Sequence, residues 1–178
     1  MARAICVAIF ILFTCQTSYS LTSYGWREYT GEVPEDAIVG GKDSNGTGIY
    51  IGQAYVRNMG LVVVQITPGV REVFAPIHGV EKIDKYIKIL CGLQQNVYWM
   101  SSDPSNIHSD LIDKEAVVGG HEDDWGYTSI GRINYQGDIN IGKINTFSIE
   151  EAYLFFINNG TEQEVTTSYE ILMYDDKV

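Results

Sequence analysis

The stretch Ala37–Ile38–Val39–Gly40–Gly41–Lys42–Asp43 returns as Ala116–Val117–Val118–Gly119–Gly120–His121–Glu122, an offset of 79 from position 37 to position 116 that holds without a gap. At the same offset Ile51–Gly52 is matched by Ile130–Gly131. Small indels then bring Gly60 opposite Gly137, Gln65–Ile66 opposite Lys143–Ile144, and Gly79 opposite Gly160. Glu81 falls opposite Glu162, and Lys88–Ile89–Leu90 opposite Glu170–Ile171–Leu172. A fixed internal period is the signature of repeated structure. This period is too long for a solenoid, so the sequence predicts one domain built from two tandem repeats with pseudo-two-fold symmetry.

Local patterning gives the class. Ile49–Tyr50–Ile51, Leu61–Val62–Val63–Val64, Val73–Phe74–Ala75 and Tyr86–Ile87–Lys88–Ile89–Leu90 are short β-branched or aromatic runs, as are Tyr153–Leu154–Phe155–Phe156–Ile157 and Tyr169–Glu170–Ile171–Leu172. Gly, Asn and Asp punctuate them, which is the pattern of strands and tight turns. No long segment carries apolar residues at i, i+3, i+4 and i+7. The fold expected is all-β, a sandwich or barrel-like domain. The two Gly–Gly steps predict a bulge or a close approach of backbones.

The organisation expected is a signal peptide at 1–20, a first repeat at 24–91, a connecting segment at 92–110 and a second repeat at 111–178. Arg3, the apolar run from Ala4 to Phe13 and the small residues Ser18 and Ser20 carry the signal-peptide reading. That run is too short to span a bilayer. The product expected is therefore extracellular and not inserted in a membrane. Cys6 and Cys15 leave with the signal, so Cys91 is left alone and expected to be a buried thiol. The connecting segment holds Tyr98–Trp99–Met100, which reads as a strand followed by a loop. Asn45–Gly46–Thr47 and Asn159–Gly160–Thr161 are N-glycosylation sequons in turn-like surroundings. A net charge of −11 argues against nucleic acid or an anionic membrane as partner.

The ordered elements suggest a family. Each unit starts with a tryptophan (Trp26, Trp99), passes into Gly–Gly–x–acid, then shows Ile–Gly–(Gln/Arg), with Gln53 in the first unit and Arg132 in the second. Gly142–Lys143–Ile144 follows in the second unit, with Gln65 at the lysine position of the first. Gly–x–Glu and a closing Tyr…Ile–Leu strand complete each unit. From Trp26 to Tyr174 the chain resembles the tandem DM-nine repeat family of arthropods and molluscs. The resemblance implies an all-β fold made jointly by both repeats, and mannose-type carbohydrate recognition in innate immunity. The chain departs from the pattern at Gln65, at Ser129 and at Trp125.

The resemblance points to Glu122, Lys143, Arg132 and Glu162 in the second repeat, and to Asp43, Gln65 and Glu81 in the first, as carbohydrate-binding residues. Sugar hydroxyls are held well by ionised acceptors and cationic donors, whose hydrogen bonds are about twice as strong as neutral ones. Glu122 and Lys143 would pair if a sheet brings the Gly–Gly turn beside the Gly–Lys–Ile strand, and on charge alone the second repeat is expected to bind more tightly. The competing reading makes the same groups turn caps and structural ion pairs. Asp43–Ser44–Asn45–Gly46 and Glu122–Asp123–Asp124 resemble the start of a calcium loop, but the distal glutamate is missing. No metal site or cofactor is expected. His78, His108 and His121 form no His–x–x–x–His pair, and no Gly–x–Ser–x–Gly elbow occurs. The chain is therefore expected not to be an enzyme. Expected partners are mannose-type glycans or a secreted or surface glycoprotein, with self-association as a homodimer in keeping with the gain in avidity. The alternative is a salivary, venom or haemolymph interaction factor that keeps the fold without binding sugar.

Overall fold

The protein is described by a computed structural model over residues 24–175. The signal-peptide reading at 1–20 lies outside the described residues. The described chain is nearly all strand, and all of its strand pairings are antiparallel. In order the strands are β1 (Tyr24–Glu28), β2 (Val39–Lys42), β3 (Gly48–Val56), β4 (Gly60–Ile66), β5 (Val73–Pro76), β6 (Val80–Ile83) and β7 (Ile87–Gly92). A 3-10 turn at Gln94–Asn96 leads to β8 (Val97–Ser102) and the four-residue helix α1 (Ile107–Asp110). There follow β9 (Glu115–Ala116), β10 (Val118–Glu122), β11 (Gly126–Tyr135), β12 (Asp138–Ile144), β13 (Leu154–Asn158), β14 (Thr161–Val165) and β15 (Tyr169–Tyr174). The connecting segment thus holds the expected strand, and its expected loop contains one helical turn.

Pairing recurs at matched positions in the two halves. Trp26 lies opposite Leu90 in β1–β7, and Trp99 opposite Leu172 in β8–β15. Gly52 pairs with Ile89, and Gly131 with Ile171. Ile51 faces Gln65, and Ile130 faces Lys143. Each Gly–Gly step carries a shift in register, between Val39 and Gly41 and between Val118 and Gly120. None of these four glycines has positive φ, so close approach is their reason. A Cβ on Gly40 would collide with Ile141, and one on Gly119 with Val63.

The halves meet through a shared apolar layer. Ile38, Ile49, Ile51, Val63 and Leu90 of the first half pack with Val97, Val117, Ile130, Ile141 and Leu172 of the second. Each half also has its own cluster, around Ala54, Val62 and Ile89 in the first and around Ile144, Phe156 and Ile171 in the second. Alternation explains the division: Ile49, Ile51 and Gln53 of β3 face the partner half, whereas Tyr50, Ala54 and Val56 pack into the first half's own cluster.

The joins between the halves differ. β10 is hydrogen-bonded to β4, with His121 opposite Leu61 and Glu122 opposite Gly60, which makes one continuous sheet. Gly60 and Gly120 permit this, because a Cβ on either would strike a backbone carbonyl of the facing strand. The matching join, β2 to β12, has no ladder among the described residues. Ile139 lies against Gly41 there instead. One side of the molecule is therefore zipped shut and the other is left open.

Cys91 is buried with a free thiol. Among the described residues no helix is long and apolar enough to cross a membrane.

Candidate functional site

The zipped side holds the charged pair read from the sequence. Lys143 Nζ lies 2.5 Å from Glu122 Oε2, and the two residues are 4% and 0% exposed. The β10–β4 ladder closes over Glu122, and no described protein group donates to its Oε1. Glu162 lies near enough to be felt electrostatically, and its Oε2 accepts the Gly79 backbone N–H from the first half. Burial pushes the Glu122 carboxyl above the ordinary carboxylate range; Lys143 and His78 pull it down, and Glu162 adds to the rise.

Arg132 is taken up by the scaffold. Its Nε and Nη2 fork onto Glu170 at 2.7 and 3.2 Å, and its Nη1 donates to the Gly40 carbonyl at 2.9 Å. The guanidinium also stacks 4.3 Å from the Trp99 ring.

The open side holds the matching residues of the first half. Here a cleft of about 330 Å³ is lined by Asp43, Gln65, Asp138, Asn140, Asn158 and Asn159 among others, so both halves contribute. That size lies at the lower end of small-molecule sites. Asp43 Oδ1 accepts the N–H groups of Asn45 and Thr47, which caps its turn, and Asp138 Oδ1 accepts Ser44 N–H at 2.7 Å. Gln65 Oε1 accepts Ile141 N–H at 3.0 Å. Each bond uses one end of a side chain. Asp43 Oδ2, Asp138 Oδ2 and Gln65 Nε2 have no protein partner among the described residues, and they leave two carboxylate acceptors and an amide donor for a ligand.

Glu81 does not line this cleft. It stands exposed on β6, in a separate groove with Tyr55, Arg57, Lys82 and Tyr86. The structure therefore brings Asp43 to Gln65 and Glu122 to Lys143, with Glu162 nearby, and places Arg132 and Glu81 elsewhere. Sequence reasoning missed Asp138, Asn140 and Asn158. Their signal was adjacency to two hairpin turns, Gln136–Gly137 and Asn159–Gly160, whose residues all have the positive φ that two-residue hairpins favour.

Both sequon asparagines are exposed, and Asn159 lines the cleft. Among the described residues no group of three or more His, Cys, Asp or Glu is arranged to hold a metal ion.

No family model matches the chain, and no curated protein matches it. Among solved structures, the crystal structure of the nematode sperm cell motility protein MFP2B is similar, with a TM-score of 0.58 and 14% identity. The match covers 86% of this chain and 44% of that one, so this chain spans less than half the length of MFP2B. At that identity the likeness is one of fold.

Proposed function

We propose that this chain is a secreted, non-enzymatic binding module of the DM-nine kind, which holds a mannose-type glycan in the open cleft between its halves and so recognises microbial or cell-surface sugars. The observation that carries this reading is the convergence of Asp43, Asp138 and Gln65 on one accessible polar cleft, each with a free end. A sugar hydroxyl both donates and accepts. Two ionised acceptors and one amide donor suit a pair of neighbouring hydroxyls without a metal. Glu122 and Lys143 occupy the matching positions in closed form and serve as a buried brace for the same module.

A glycan array probed with the secreted chain in chelator tests the reading. Retention of mannose-terminated glycans is expected. Retention of no glycan would overturn it and leave the protein-interaction reading. That second reading is favoured by one observation: Phe147 and Ile149 are 75% and 79% exposed beside Trp125, on a surface rimmed by Asp124, Glu150 and Glu151. Exposed apolar patches of this kind mark protein contacts.

A further inference from the structure

A second concave surface lies on the first half, away from the open cleft. It has a volume of about 670 Å³ and is lined by Glu28, Tyr55, Leu61, Tyr86, Ile87 and Lys88. Tyr55 and Tyr86 are 49% and 78% exposed, so neither ring belongs to a core. Tyr86 has φ of +55°, a left-handed conformation that is an outlier for a bulky side chain. Asn or Gly fits such a position more cheaply. The chain holds a large ring there at a backbone cost and gains no packing for it, the kind of strain that collects at binding sites.

The polar groups point the same way. Glu28 and Lys88 are direct neighbours across β1–β7. They make no ion pair, and neither they nor the two tyrosine hydroxyls have a hydrogen-bond partner among the described residues. The surface thus offers two exposed rings, one carboxylate acceptor and one ammonium donor, with no net charge. A phosphate or an anionic peptide would meet Glu28. A neutral saccharide fits better, because it sets a C–H face on an aromatic ring and its hydroxyls on flanking donors and acceptors. Pockets of this make-up bind by an apolar floor and orient by a few polar groups.

We infer that Tyr86 and Tyr55 form a second saccharide subsite, with Glu28 and Lys88 as its hydrogen-bonding rim; this rests on the reading of the chain as a glycan-binding module. Two separate subsites would let one chain engage a branched or repeated glycan twice.

The test is an NMR titration of the full mature chain, wild type and Tyr86→Asn, with mannopentaose. Asn is at ease in the left-handed region, so Tyr86→Asn keeps the fold and is expected to raise the melting temperature. Amide shifts at Tyr55, Tyr86 and Lys88 are expected in the wild type, with affinity at this face about tenfold weaker in the variant, which corresponds to about 1.4 kcal/mol. Shifts confined to Asp43, Gln65 and Asn140 would overturn the second subsite and keep the cleft. Shifts confined to the tyrosine face would keep the subsite and overturn the cleft. An unchanged titration of Tyr86→Asn would also overturn the subsite, and shifts at neither place would overturn both.

Discussion

Gln53 and Arg132 make the same contact in opposite directions. Gln53 Nε2 donates to the Gly119 carbonyl at 2.8 Å, and Arg132, 79 positions later, donates to the Gly40 carbonyl at 2.9 Å. Each side chain crosses the shared layer to hold the bulged glycine of the other half. Gln53 is buried, so Gln53→Leu leaves a buried carbonyl without its donor. The expected cost is about 1–3 kcal/mol, which calorimetry should read as a fall of roughly 2–4 °C in melting temperature per kcal/mol. An unchanged melting temperature would show that this contact does not hold the halves together.

The Glu122–Lys143 brace should be sensitive to losing one partner and tolerant of losing both. Glu122→Ala strands a buried ammonium and is expected to cost about 3–5 kcal/mol, whereas Glu122→Met with Lys143→Met should be close to neutral. Urea unfolding of the three proteins checks this. A loss of under about 1 kcal/mol in the single variant would contradict a buried pair, since that is the scale of exposed pairs.

Glu122 also fixes a pH dependence. Its native pKa lies above the ordinary range, so near and above about pH 4.3 the folded chain keeps a proton that the unfolded chain has released. Stability due to this group therefore falls as pH rises from the unfolded pKa through the native one, then levels off. Relative to Glu122→Gln, the wild type should lose stability across that window. A difference that stays flat with pH would contradict the raised carboxyl.

Asn159 lies on the cleft itself, so a glycan attached there and a ligand compete for the same space. In chain secreted from eukaryotic cells, Thr161→Ala removes the sequon and is expected to tighten mannopentaose binding relative to glycosylated wild type. Bacterial chain, which carries no N-glycan, should show no such gain. Equal affinity for the glycosylated and unglycosylated proteins would place the ligand elsewhere.

The sequence made the strands and the Glu122–Lys143 contact legible, because the strands depend on local alternation and the contact on the order of short motifs along the chain. What it hid lies in the contacts between halves. Nothing local distinguishes Asp43 from Glu122, yet one lines an open cleft and the other is sealed. The difference arises because β10 pairs with β4 while β2 does not pair with β12, a long-range event set by Gly60 and Gly120 against Ile139. Charge points to Glu122 and Lys143 of the second repeat, while accessibility points to the cleft that both halves line. In the sequence Tyr86 opens the strand-like run Tyr86–Ile87–Lys88–Ile89–Leu90. It is instead a left-handed residue before β7, and its backbone conformation has no signature in a run of β-formers.

On the proposed reading the open cleft, and not the sealed Glu122–Lys143 pair, holds the glycan. Titration calorimetry with mannopentaose in chelator on unglycosylated wild type, Asp138→Asn and Glu122→Gln tests it most directly. Asp138→Asn keeps the bond to Ser44 N–H through its amide oxygen and puts a neutral amide donor where the free carboxylate acceptor stood; a sugar hydroxyl that turns to accept from it should bind roughly two- to thirtyfold more weakly, from about 1.5–3 kcal/mol for a charged hydrogen bond to about 1 for a neutral one. Glu122→Gln should bind as wild type does. An equal or larger loss from Glu122→Gln, or no heat from the wild type, would contradict the account.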